Sequence, residues 1–223
     1  EMIKKDYDDS KFQTVDIPHA NKELPLNYFD EKTYQFVSCY RKTFDLKKAT
    51  GCRYILHFEG SDFVTKLWVN GQFAGSHKGG YARFSFDLTN LVHDGENHIV
   101  VKVEDSFDIQ QPRGKQRWMD DSYSCFYVQT TGIWKTVWSE YVPKLSISSV
   151  KMTPNMETKM LEVEYNVKAP ESCFNGNLAV EATITFKDRL ISKTVTAITA
   201  GHVSAHLNVA GKQERSFVSQ VFC

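Results

Sequence analysis

The residues best equipped for chemistry lie in one irregular stretch, Asp105 to Ser124. It contains the run Gln110-Gln111-Pro112-Arg113-Gly114-Lys115-Gln116-Arg117-Trp118-Met119-Asp120-Asp121. Arg113, Lys115 and Gln116 offer hydrogen-bond donors suited to hydroxyl or carboxylate oxygens. Trp118 offers a flat ring face for stacking, and Asp120 or Asp121 offers acceptors for paired hydroxyls. Twenty residues without alternation are long for a connection inside a compact domain, and loops of that kind are usually functional or disordered. The Pro, Gly and Trp within this one argue against simple disorder. A second reading stays open, in which Arg113 with Asp120 or Asp121 ties the loop to its own domain.

Other catalytic devices are missing. The sequence holds no G-x-S-x-G, no H-E-x-x-H and no phosphate-binding glycine loop. Seven His are scattered and form no ligand cluster. Five cysteines (Cys39, Cys52, Cys125, Cys173 and Cys223) are an odd, widely spaced set without a C-x-x-C pair, so neither a disulfide framework nor a zinc site is expected. They read as reduced and structural, which slightly favours a cytoplasmic setting over a periplasmic or secreted one. Lys+Arg and Asp+Glu both number 27, and this balance gives no electrostatic reason to expect nucleic acid or an anionic membrane as partner. No apolar run reaches the length of a membrane span. The opening Glu1-Met2-Ile3-Lys4-Lys5-Asp6 does not resemble a signal peptide. The closing Ser216 to Cys223 reads as the middle of a strand, so the chain is expected to begin and end inside a longer protein.

The elements that must position the loop are strands. Hydrophobic residues make up 41% and aromatics 13% of the chain, a composition that fills a core and favours sheets. Period-two alternation runs through Leu161 to Val167, Leu178 to Phe186 and Val203 to Val209, three strands with one dry and one wet face. Such spacing points to a sandwich. Earlier, less regular strands are expected at Phe36 to Leu46, Arg53 to Phe58, Val64 to Val69, Ile99 to Glu104 and Ile133 to Tyr141. Asn70-Gly71 supplies the two positive-φ positions of a type I′ hairpin turn, and Asp94-Gly95 precedes a strand in the same manner. A short helical turn is expected around Asp87 to Leu91. The domain boundary falls near Val142-Pro143-Lys144, giving domains over 1–142 and 143–223. Trp68, Trp134 and Trp138 sit at alternate strand positions and are expected in the core. His77, between glycines in a turn, is expected to be structural.

Several segments in order resemble the sugar-binding domain of family 2 glycoside hydrolases, which include β-galactosidases, β-glucuronidases and β-mannosidases. They are Asp8-Asp9-Ser10-Lys11-Phe12-Gln13-Thr14-Val15-Asp16-Ile17-Pro18-His19, with Phe12 where Trp is usual, and Tyr40-Arg41-Lys42-Thr43-Phe44. Next comes one core motif, in which Phe58-Glu59-Gly60 leads to Leu67-Trp68-Val69-Asn70-Gly71 through His77-Lys78-Gly79-Gly80-Tyr81. Phe84-Ser85-Phe86-Asp87-Leu88-Thr89 with Gly95-Glu96-Asn97, then Pro112-Arg113-Gly114-Lys115-Gln116 and Thr131-Gly132-Ile133-Trp134 through Glu140 complete the set. One such motif is weak; six in order across residues 8 to 140 are specific.

The resemblance implies an all-β chain: a jelly-roll-like, galactose-binding-type β-sandwich followed by an immunoglobulin-like β-sandwich. It also implies a front-end role beside a catalytic (β/α)8 barrel that this sequence does not contain. Retaining glycoside hydrolysis needs an acid/base and a nucleophile about 5 Å apart, and in this family both glutamates lie in the barrel. No catalytic residue is therefore expected here, and Glu59, Glu104 and Glu140 read as structural or solvated. By resemblance, the segment from Arg113 to Tyr127 lends a rim to the outermost sugar subsite, with Arg113, Lys115, Gln116, Trp118, Asp120, Asp121 and Tyr127 as candidate substrate contacts. The expected partners are a β-glycoside, the chain's own barrel and further copies of the protein, with no cofactor and no metal. Some β-galactosidases carry an acid shortly before the Gly-Ile-Trp-like strand for sugar and a monovalent cation; Cys125-Phe126-Tyr127-Val128 carries none. Two rival roles remain: a self-sufficient carbohydrate-binding module, and a purely structural pair of domains.

Overall fold

The computed structural model describes residues 2–20, 37–106, 108, 110–116, 124–126 and 130–209, together with the backbone of 216–222. Contacts divide the chain into two compact units, Glu1–Val142 and Pro143–Cys223. Apart from one short 3-10 turn at Glu171–Cys173, the regular elements among the described residues are strands.

The first unit holds β1 (Val37–Leu46), β2 (Cys52–Phe58), β3 (Val64–Val69), β4 (Gln72–Lys78), β5 (Phe84–Asp87), β6 (Gly95–Glu104) and β7 (Val137–Pro143). They form a four-stranded sheet in the order β1-β6-β3-β4 and a three-stranded sheet in the order β5-β2-β7. Alternation decides which side chains meet between them. In β3, Thr65, Leu67 and Val69 are buried while Val64, Lys66 and Trp68 are half-buried on the other face. Leu67, Val69, Val101 and Val103 from one sheet pack on Tyr54, Leu56, Phe58 and Phe86 from the other, with Leu88, Val92 and Ile133 closing the ends. Burying each such side chain contributes about 1.5–3 kcal/mol.

Asn70-Gly71 forms the expected tight hairpin between β3 and β4, with φ of 50° and 79°. Asn70 also ties that turn to its surroundings. Its Nδ2 donates to the Leu91 carbonyl at 2.9 Å and to Asn97 Oδ1 at 2.8 Å, and its Oδ1 accepts from the His98 amide at 3.0 Å.

The turn expected around Asp87 to Leu91 is a single one, closed by the Leu91 and Val92 amides on the Leu88 carbonyl. Two expectations need correction. The last strand of this unit begins at Val137 rather than Ile133, because Ile133 turns its side chain into the core and its carbonyl accepts from the His19 amide at 2.7 Å. Trp68, Trp134 and Trp138 lie outside the core. Trp68 and Trp138 belong to strand faces away from it, Trp134 lies in the irregular stretch before β7, and Trp138 is 37% exposed. The indole N–H groups explain part of the placement: Trp134 donates to the Gly80 carbonyl and Trp138 to Glu59.

The second unit holds β8 (Ser146–Asn155), β9 (Met160–Lys168), β10 (Ala179–Phe186), β11 (Arg189–Ala197), β12 (His202–Asn208) and β13 (Ser216–Phe222). Two three-stranded antiparallel sheets, β12-β9-β8 and β11-β10-β13, result. Their shared core takes Val163, Tyr165 and Val167 from β9, Val180, Ala182 and Ile184 from β10, and Ala205 and Leu207 from β12. These are the residues that the alternating pattern singles out. The intervening positions of β9 carry charge pairs on the wet face, as in Glu164 with Lys151 at 2.6 Å.

Asn70 generates a paired prediction. Replacing it with Ala removes three hydrogen bonds and leaves in the left-handed region a residue that tolerates it less well than Asn; about 2–4 kcal/mol of stability should be lost in urea denaturation. Asn70→Gly keeps the turn accessible and should lose measurably less.

Candidate functional site

The irregular loop leaves β6 at Asp105 and returns at Thr130–Gly132, and two buried carboxylates fasten both of its ends. Asp105 is the first. Its Oδ1 accepts from the Ser106 amide at 2.7 Å, from Gln111 Nε2 at 2.7 Å and from Arg113 Nη1 at 3.5 Å, while Oδ2 accepts from Thr131 Oγ1 at 2.7 Å. The Asp105 and Arg113 side chains are 1% and 7% exposed, so the pair is sealed from water. A buried ion pair is tolerated when hydrogen bonds satisfy its remaining atoms, and Asp105 meets that condition.

Asp62, in the β2–β3 connection, is the second. Its Oδ2 accepts from Gln116 Nε2 at 2.8 Å and from Thr130 Oγ1 at 3.1 Å. Gln116 Oε1 in turn accepts from the Thr130 amide at 2.8 Å, so one glutamine ties the loop's middle to its end. Tyr81 adds a third strap: its hydroxyl donates to the Arg113 carbonyl at 2.6 Å. Burial lifts the Asp62 carboxyl above its ordinary range, and nearby Asp105 pushes the same way, against the donors from Gln116 and Thr130.

The backbone completes the fastening. Asp62 and Gly132 exchange two amide bonds at 2.9 and 3.1 Å, the Glu59 amide donates to Thr136 at 3.0 Å, and the Lys135 amide donates to Gly60 at 3.2 Å. Residues 130–136 thus run beside 59–62. Only glycine fits at 132, where φ is 132° and an added Cβ would lie 2.6 Å from the Tyr40 hydroxyl and 2.9 Å from the His19 carbonyl. Gly80 is equally constrained, since a Cβ there would lie 2.5 Å from Asp62 Oδ1.

Of the residues singled out in the sequence, Arg113 and Gln116 meet in this buried network and bond within their own domain. Lys115, between them, faces solvent. Trp118, Asp120, Asp121 and Tyr127 lie outside the described residues. Sequence reasoning missed Asp62, Tyr81, Asp105, Thr130 and Thr131. The one usable signal was Asp105 itself, an acid placed where strand alternation stops.

The glutamates behave as surface partners. Glu104 is bridged by Lys66 at 2.9 Å and Lys102 at 2.5 Å, which hold its carboxyl below the usual range, the opposite of what a general acid needs. Glu140 pairs with His57 at 3.0 Å and Glu59 accepts from Trp138 at 2.8 Å. His77 stacks on Phe84 at 3.9 Å, and burial lowers its pKa. No group of His, Cys, Asp and Glu able to hold a metal ion occurs among the described residues.

Comparison with known proteins adds the remaining findings. The sequence family described as "Glycosyl hydrolases family 2, sugar binding domain" matches residues 2–141. A β-galactosidase of Thermoanaerobacter pseudethanolicus is 34% identical over 186 residues, covering 81% of this chain but 24% of that protein. Among solved structures, a glycosyl hydrolase family 2 member from Bacteroides cellulosilyticus matches 99% of this chain and 32% of its own with a TM-score of 0.73 at 20% identity. A Bacteroides uniformis β-glucuronidase matches 98% of this chain and 25% of its own with a TM-score of 0.67 at 20% identity. The chain therefore spans about a quarter to a third of the length of these three proteins.

Two outcomes follow from the network. Asp62 has a raised folded pKa, so its contribution to stability is fully present below the ordinary value of 3.8 and is lost as pH rises through the folded value. Asp62→Asn removes the charge and keeps an acceptor. Its stability relative to the native chain should rise as the pH is raised above the ordinary value of 3.8 in urea titrations. Gly132→Ala should cost about 2–4 kcal/mol in the same assay, through the contact with Tyr40 and the backbone strain.

Proposed function

The chain belongs to family 2 of the glycosyl hydrolases and carries their sugar-binding domain over residues 2–141, and from this premise we propose that it is the supporting, non-catalytic region of an enzyme that cleaves β-glycosidic bonds in carbohydrates. The ordered match across residues 2–141 carries the reading. The 24% coverage of the T. pseudethanolicus β-galactosidase supports the further step that catalysis belongs to a barrel elsewhere in a longer protein. Consistent with that step, the acids at Glu59, Glu104 and Glu140 are occupied by Trp138, lysines and His57, and Asp62 and Asp105 are sealed beneath a loop.

In this reading the first unit is a jelly-roll-like sugar-binding domain. The second, two facing three-stranded sheets, is an immunoglobulin-like spacer. The loop after β6 shapes the entrance to the outermost sugar subsite. Arg113 and Gln116 contribute by holding the loop's frame through Asp105 and Asp62. Lys115, Trp118, Asp120, Asp121 and Tyr127 are the contacts offered to a β-glycoside. The same scaffold would also carry contacts between copies of the protein.

Nitrophenyl β-galactoside, β-glucoside, β-glucuronide and β-mannoside test the proposal. The 223-residue chain should release no nitrophenol above background, whereas a longer protein containing it should turn over at least one of the four, which names the sugar. Hydrolysis by the 223 residues alone would place an acid pair among side chains assigned here to structure, and would refute the reading.

A further inference from the structure

The outer face of the β5-β2-β7 sheet carries an arrangement that the loop does not explain. Trp138 on β7 projects away from the core, and its ring is stacked on His57 of β2 at 4.0 Å and 12°. One indole face is thereby covered, while the residue as a whole remains 37% exposed. The indole N–H donates to Glu59 Oε1 at 2.8 Å, and His57 Nε2 lies 3.0 Å from Glu140 Oε1. Arg83 approaches Glu59 at 3.9 Å with its side chain 67% exposed. The result is a single fixed aromatic ring with two carboxylates and a guanidinium beside it.

This chemistry suits one class of ligand better than another. A protein partner would have to desolvate Glu59, Glu140 and Arg83 around one ring, and charged residues are depleted from the cores of protein interfaces for that reason. A pyranoside meets the same groups at little cost. Its C–H face lies on an indole that is already immobilised, and its hydroxyls donate to the carboxylates of Glu59 and Glu140, whose side chains are 33% and 44% exposed. Holding the ring by stacking and by the Glu59 bond removes ordering entropy that binding would otherwise have to supply.

We propose that this sheet face is a carbohydrate-binding surface separate from the loop, with Trp138 as the platform and Glu59 and Glu140 as hydroxyl acceptors. The proposal concerns binding of sugar by this chain itself and does not depend on the glycosidase reading.

The test is an NMR titration of the 223-residue chain with methyl β-galactopyranoside and methyl β-glucopyranoside, following the four indole N–H signals. Trp138→Phe identifies the Trp138 signal. That signal should shift saturably with at least one sugar, with half-saturation at about 1–10 mM, as expected for a small ligand held by one ring and two acceptors. Glu140→Gln, which retains an oxygen acceptor but loses the charge, should weaken binding by about fivefold. His57→Ala, which frees the indole, should weaken it as well. An unmoved Trp138 signal up to about 50 mM sugar, an amount well above that range, would overturn the proposal. So would a shift confined to the Trp118 signal, which would return sugar binding to the loop. A Trp138 signal that responds to dilution of the chain and not to sugar would assign the face to a second copy instead.

Discussion

The cost of burying charge shapes this protein's most unusual segment. A carboxylate removed from water is strongly destabilising unless donors surround it, and the chain buries two of them, Asp62 and Asp105, at the same end of the first sandwich. The donors come from the loop that follows β6: Gln111, Arg113, Gln116, Thr130 and Thr131. The dependence runs both ways. The carboxylates are tolerable only while these donors are in place, and the described ends of the loop, which lie outside the regular strands, are ordered because the carboxylates gather their donors. A segment that strand geometry cannot organise is thus organised by electrostatics.

That arrangement separates two tasks often assigned to the same residues. Arg113 and Gln116 are spent inward, and Lys115 between them is directed to solvent. A loop built this way owes the shape of its described ends to buried pairs, and its exposed side chains carry none of that task. The sheet faces follow the same division. Core rows such as Leu67 and Val69 hold the sandwich, while outward positions hold Trp138, His57 and their carboxylates in fixed relation.

Much of the fold was legible because alternation is a direct consequence of one-sided burial. The rows Leu161 to Val167 and Val203 to Val209 gave their strands and their dry faces correctly. β8 escaped because most of it is exposed, so burial imposed no pattern on Ser146–Asn155. β11 escaped because its hairpin turn, Lys187-Asp188, takes positive φ of 45° and 62° without a glycine to announce it. Trp68 and Trp138 were misplaced because position along a strand does not say which face is dry; the buried neighbours Leu67 and Val69 decide that for Trp68, while Trp134 precedes the strand expected to hold it. At the site, the loop was visible through its length and its lack of alternation. Its wiring was not, since Gln116 finds Asp62 from 54 positions away and no local pattern encodes such a pair.

The central claim is that buried carboxylates order the loop, and amide hydrogen exchange on the native chain and on Asp105→Ala tests it most directly. The Thr130 amide, bonded to Gln116, and the Gly132 amide, bonded to Asp62, should be protected in the native chain, as should Val101 and Val103 in β6. In the variant, Thr130 and Gly132 should exchange far faster while Val101 and Val103 keep their relative protection. Unchanged protection at Thr130 and Gly132, or an equal loss at all four amides, would contradict the account.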